Sequence, residues 1–105
     1  MSRARRAALL VCLCALGCSA REELARRVDE TARALREVEA QDALRCAPRE
    51  LAVARSQLEF AELERDRGFP TRAREHLDVA DENVRAAAAL SSPAQCTPAG
   101  SPSGG

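Results

Sequence analysis

The chain contains no tryptophan, no tyrosine and no lysine, with only two phenylalanines, one methionine and one histidine among 105 residues. Large core residues are therefore scarce. With His76 as the sole histidine, and no nucleophile elbow, phosphate loop or supported Cys–His pair, the sequence offers no catalytic set. Enzyme activity, a cofactor, a metal site and a small-molecule substrate are not expected. Sixteen arginines balance sixteen acids, so there is no electrostatic case for nucleic acid. Long apolar runs are missing too. The uncharged stretch Ala7 to Leu16 has ten residues, where a spanning helix needs about 20.

What is present points to helix. Ala, Arg, Glu and Leu dominate from Arg21 to Leu90. The expected fold is all-α: a long N-terminal helix, an antiparallel helical hairpin, and a disordered C-terminal tail. The first mature helix is expected from Ser19 to about Arg45. Ser19-Ala-Arg-Glu22 has capping-box form, and Leu24, Val28, Thr31, Leu35 and Val38 form one apolar stripe. Glu22–Arg26, Glu23–Arg27 and Asp29–Arg33 are i,i+4 pairs in the favourable order. "RCAPRE" breaks this pattern, because Pro48 suits the first turn of a new helix. The second helix is expected from Pro48 to about Arg67, with Leu51, Ala54, Leu58 and Ala61 inward. In "GFPT", Gly68 can adopt the left-handed stop and Pro70 can open the third helix. That helix runs to Leu90 and turns Ala73, Leu77, Ala80, Val84 and Ala87 inward. Leu51, Leu58, Leu77 and Val84 should form the hairpin core. The stripe from Leu24 to Val38 either packs on the hairpin or makes a coiled coil. From Ser91 onward Ser, Pro and Gly dominate, as in a flexible tail or linker.

The stretch "LVCLCALGC" holds Cys12, Cys14 and Cys18. Arg3, Arg5 and Arg6 precede the apolar run and small residues follow it, which is the layout of a secretory signal. Within it "ALGC", Ala15 to Cys18, resembles the lipobox of bacterial lipoproteins. That resemblance implies removal of residues 1–17 and acylation of Cys18, palmitate being one such chain. With Ser19 next, it also implies sorting to the outer membrane. A chain beginning at Cys18 would carry a net charge of about −3. Two alternatives stay open: an ordinary signal peptide cut near Ala20, and Cys12 with Cys14 as metal ligands, although no His or acid lies near them.

Cys46 stands two residues before the second helix and Cys96 six residues after the third. Helices of equal length joined by a short turn bring their open ends to one level, and six residues can cross the remaining gap. A Cys46–Cys96 disulfide closing the hairpin is therefore expected, with two free thiols as the alternative. His76 lies near the turn, far from both. In "HLDVADE" Asp78 points about 200° around the helix from His76. This reads as a solvated face, with Arg74–Asp78 and Asp81–Arg85 as neighbours.

The segment Gly68-x4-Ala73-x3-Leu77-x2-Ala80 resembles the turn and second helix of a tetratricopeptide (TPR) repeat. One repeat is present where at least three usually stack. "CAPRELAVARSQLEFAELERDRGFPTRAREHLDVADENV" is similar to the N-terminal helical region of envelope lipoproteins from myxobacteria and related bacteria. In longer members this region precedes an OmpA-like domain. The implied domain plan is a signal peptide at 1–17, an amphipathic helix at 18–45, a hairpin domain at 46–96 and a tail at 97–105. The implied role is a lipid-anchored structural or interaction protein on the periplasmic face of the outer membrane. Its partners would be the membrane, through the anchor, and an envelope protein such as an OmpA-like one. Phe60, Leu63 and Phe69 are the expected partner-facing or first-helix-facing surface. The alternative is a soluble periplasmic TPR-like adaptor or ligand-binding module.

Overall fold

A computed structural model describes residues 2–97. Four helices follow in order: α1 (Ser2–Ala40), α2 (Ala43–Cys46), α3 (Pro48–Asp66) and α4 (Pro70–Leu90). Among the described residues there is no strand. The all-α expectation holds; the tail expected at 97–105 lies outside the described residues beyond Thr97.

Helix α1 differs from expectation at both ends. It begins at Ser2 rather than Ser19 and runs for 39 residues, about 58 Å. Ala, Leu and Cys from Ala7 to Leu16 continue a helix readily. Gly17, which weakens it by about 1 kcal/mol, does not break it. In this uncut chain Ser19 is thus an interior residue; its capping box concerns a chain that begins at Cys18. At the other end, α1 stops at Ala40 instead of reaching Arg45. Asp42 takes a left-handed conformation at φ 69°, which a short polar side chain tolerates better than most. The Gln41 amide donates to the Val38 carbonyl at 3.0 Å, and the Arg45 and Cys46 amides donate to the Asp42 carbonyl, each at 3.1 Å. The chain therefore pivots at Asp42 and makes the single turn α2.

The remaining boundaries follow the sequence. Pro48 and Pro70 open α3 and α4. Gly68 has φ 85°. Its amide donates to the Arg65 carbonyl at 3.0 Å, and the Phe69 amide donates to the Glu64 carbonyl at 2.8 Å. These two bonds make a Schellman motif, which satisfies carbonyls at the end of α3. A side chain at Gly68 would meet no neighbour, so glycine is required there by backbone conformation and not by space. Ser91 to Cys96 departs from the expected loose tail. Ser91 is buried, and the Gln95 and Cys96 amides donate to the Ser92 carbonyl at 3.0 and 2.8 Å. The chain turns back onto the body.

Helices α3 and α4 form the hairpin, and the C-terminal half of α1 lies along it. Arg27 of α1 reaches Asp81 of α4, while Glu39 of α1 reaches Arg55 of α3. The stripe of α1 thus packs on the hairpin, and the order is up–down–up. Every residue of the three expected stripes is buried, and Leu51 and Leu77 are the largest side chains that are fully so. Residues 2–23 are exposed throughout and project from the body, which gives the molecule its 83 Å long axis. Among the described residues no helix is long and apolar enough to cross a membrane.

Leu77→Ala should lower unfolding free energy by about 2–5 kcal/mol, the usual cost of truncating a buried leucine. The half-exposed Phe60, cut to Ala, should cost well below that. Urea unfolding followed by helical circular dichroism reads both.

Candidate functional site

Four places in the molecule carry chemistry. The first is Cys18. It is exposed on α1 and unpaired, as are Cys12 and Cys14. Leu9, Leu10, Val11, Leu13 and Leu16 are each about two-thirds exposed (63–70%). The core begins only at Leu24, so "ALGC" is held by helical hydrogen bonds alone.

The second is the end of the body where α2, the start of α3 and the end of α4 meet. There Cys46 is bonded to Cys96, with Cα atoms 5.9 Å apart. Ala43 and Ala47 pack beneath, both essentially fully buried. Arg45 donates from Nε to Asp42 Oδ2 at 2.8 Å and from Nη2 to the Thr97 carbonyl. The guanidinium thus fastens the segment that follows α4 to the pivot that precedes α2. An open depression lies between Asp42, Arg45, Ala88 and the disulfide. It contains no histidine and no free thiol.

The third is the expected interaction surface. Phe60, Leu63 and Phe69 are half-exposed, at 47, 46 and 46%. Phe60 lies on the hairpin face away from α1. Its ring centroid is 5.5 Å from that of His76 in a tilted arrangement. His76 Nδ1 and Gln57 Oε1 are 2.7 Å apart, so this contact joins α3 to α4. Leu63 follows one turn later on α3. Phe69 lies at the turn, with the Arg72 guanidinium carbon 4.9 Å from its ring centroid. The contacts seen at these residues are thus with α4: Phe60 meets His76, and Phe69 meets Arg72.

The fourth place was not expected from the sequence. Arg27 bonds Asp78 and, at 3.1 Å, Asp81, while Thr31 Oγ1 donates to Asp81 Oδ1 at 2.6 Å. The expected local partners Glu23 for Arg27, Arg74 for Asp78 and Arg85 for Asp81 are not used. The hydrogen bond with Asp78 is the main cause that holds the Arg27 pKa above its ordinary value; burial opposes it, and Asp81 adds to it. The guanidinium stays charged across the accessible pH range. Thr31 sits in the apolar stripe yet is satisfied, because Asp81 accepts its hydroxyl proton. The signal was available in two spacings: Arg27-x3-Thr31 on one helix and Asp78-x2-Asp81 on another place matching polar rows on facing surfaces. Among the described residues no three His, Cys, Asp or Glu side chains are grouped to hold a metal ion. His76 and the two aspartates lie on different faces of α4, bonded to different helices.

Two measurements test these assignments. Reduction of Cys46–Cys96, which closes a loop with a sequence separation of 50, should lower stability by about 4 kcal/mol in the chain-entropy account; urea midpoints with and without reductant give the value. A double-mutant cycle on Arg27→Ala and Asp81→Ala should return a coupling of about 0.5–1 kcal/mol, as for a partly exposed pair.

In comparisons with known protein families, curated proteins and solved structures, nothing matches this chain.

Proposed function

We propose that the chain is a bacterial envelope lipoprotein, cut before Cys18 and acylated there. Its helical body would stand on the periplasmic face of the outer membrane in a structural or protein-binding role, without catalysis. The observation that most supports this reading is where tertiary structure starts. Residues 2–23 bury nothing, and the first core residue, Leu24, lies six positions after Cys18. Loss of residues 1–17 would remove no core contact from the body. The exposed leucines of that segment suit a signal sequence read by the export machinery and then discarded. Two or more acyl chains on Cys18 would hold the body firmly, where one is marginal.

The oxidising compartment implied by export suits the Cys46–Cys96 bond. The turn glycine and small inward residues support reading the hairpin as TPR-like, and Phe60 beside His76 is half-exposed. An envelope protein, of the OmpA-like kind suggested by the sequence resemblance, is the proposed partner.

The deciding experiment is the intact mass of protein extracted from membranes. The expected value is that of residues Cys18 to Gly105 plus acyl groups, and Cys18→Ala should move the body out of the detergent fraction. An unacylated mass starting after Cys18 would replace this reading with the soluble adaptor.

A further inference from the structure

The two ends of the body differ in chemistry, and the helix directions decide which end faces the anchor. Arg21 and Leu24 of α1 border one depression with Arg65, Asp66, Gly68 and Pro70 of the hairpin turn. Gln41 and Asp42 border another with the disulfide. From Leu24 back to Cys18 is six residues, about 9 Å of helix. An acylated Cys18 therefore holds the α3–α4 turn toward the bilayer and the disulfide end away from it.

The turn has features suited to that position. Phe69 projects from it, 46% exposed, between a left-handed Gly68 and the first-turn Pro70. These fix the backbone, so little conformational freedom is lost when the ring is buried in a new medium. Arg72 lies over the ring, its guanidinium carbon 4.9 Å from the centroid, and Arg65 and Arg67 stand at the end of α3, just before the turn. Arg65 contacts Asp66 at 3.4 Å, and Arg67 and Arg72 each approach Glu64 at 3.9 Å. All three arginines have long apolar stems that can lie along acyl chains while their heads stay in a polar layer.

Resting on the lipid-anchored reading above, we infer that the α3–α4 turn is a second membrane contact. Phe69 enters the headgroup–acyl boundary of the leaflet that holds the Cys18 lipid, and Arg65, Arg67 and Arg72 reach the headgroup phosphates. One aromatic side chain would not hold a free protein on a bilayer, but here the anchor supplies the local concentration. Because Glu64 and Asp66 offset much of the arginine charge, the contact depends on insertion and only weakly on salt.

The chain's lack of tryptophan and tyrosine makes the test direct, since one introduced indole is the only strong emitter. Acylated protein is purified from membranes, its mass is measured, and it is reconstituted in vesicles of phosphatidylethanolamine and phosphatidylglycerol with brominated acyl chains. The Phe69→Trp protein should show blue-shifted emission, quenched severalfold more than that of Gln95→Trp at the opposite end, in low and high salt alike. Thr71→Trp, exposed in the same turn, serves as a second reporter if circular dichroism shows that Phe69→Trp disturbs the fold. An acylated, vesicle-bound protein in which the turn reporter is quenched no more than Gln95→Trp overturns the turn contact and leaves the anchor standing. An unacylated mass overturns the anchor, and the turn contact goes with it.

Discussion

The close approach of α3 and α4 is the constraint on which the rest of the structure depends. Ala54 and Ala61 on one helix, and Ala73, Ala80 and Ala87 on the other, have no exposed surface at all. They recur at intervals of seven, with Leu58 between the first two and Leu77 and Val84 among the others. This is a 3.5-residue rhythm, and it favours helices lying nearly parallel, crossed by about 20°. Small residues let the backbones come together, but they remove little apolar surface from water. A hairpin built this way gains less from burial than one built on leucine alone, so it needs supports outside its own interface. Helix α1 adds Leu24, Val28, Leu35 and Val38 along one side. The disulfide closes the end that the turn leaves open.

The polar contacts have a different task. A stripe of aliphatic side chains fixes which face of α1 is buried but tolerates a slide along the groove. Arg27 with Asp78 and Asp81 near one end, and Glu39 with Arg55 at 3.0 Å near the other, remove that freedom. Each pair is partly exposed and contributes modestly to stability. Together they set register and direction, for a slide by one turn would separate both sets. Thr31 belongs to the same device: its methyl group packs with the stripe while its hydroxyl meets Asp81.

Much of this fold was legible in the sequence, because its signals are local. The three inward stripes, the first-turn prolines and the glycine stop are all matters of periodicity or of one residue's backbone preference. The meeting of Cys46 and Cys96 followed from equal helix lengths. What escaped has two causes. In the uncut chain Ser19 is interior to α1, because Ala7 to Leu16 continue the helix; its capping pattern concerns a chain that begins at Cys18. Asp42 broke α1 without any glycine or proline to announce it. The ion pairs were misassigned for a related reason: i,i+4 partners can be read along one helix, whereas Arg27 chose partners 51 and 54 residues away. For the candidate site, the sequence named Cys18 and the surface residues Phe60, Leu63 and Phe69. Only the folded arrangement shows that Phe60 meets His76 across the hairpin and that Phe69 lies at the turn under Arg72.

The bond between Cys46 and Cys96 also reroutes mechanical load. A pull applied between the N-terminal side of α1 and the chain beyond Cys96 travels along α1 and α2 to Cys46, crosses the sulfur bridge, and leaves through Cys96. The 49 residues between the two cysteines lie outside that path. Tension would stretch the axis of α1, while α3 and α4 hang beside the loaded line as a passive side loop. The body can thus be tugged from both ends without its hairpin being peeled open, provided the bridge stays oxidised.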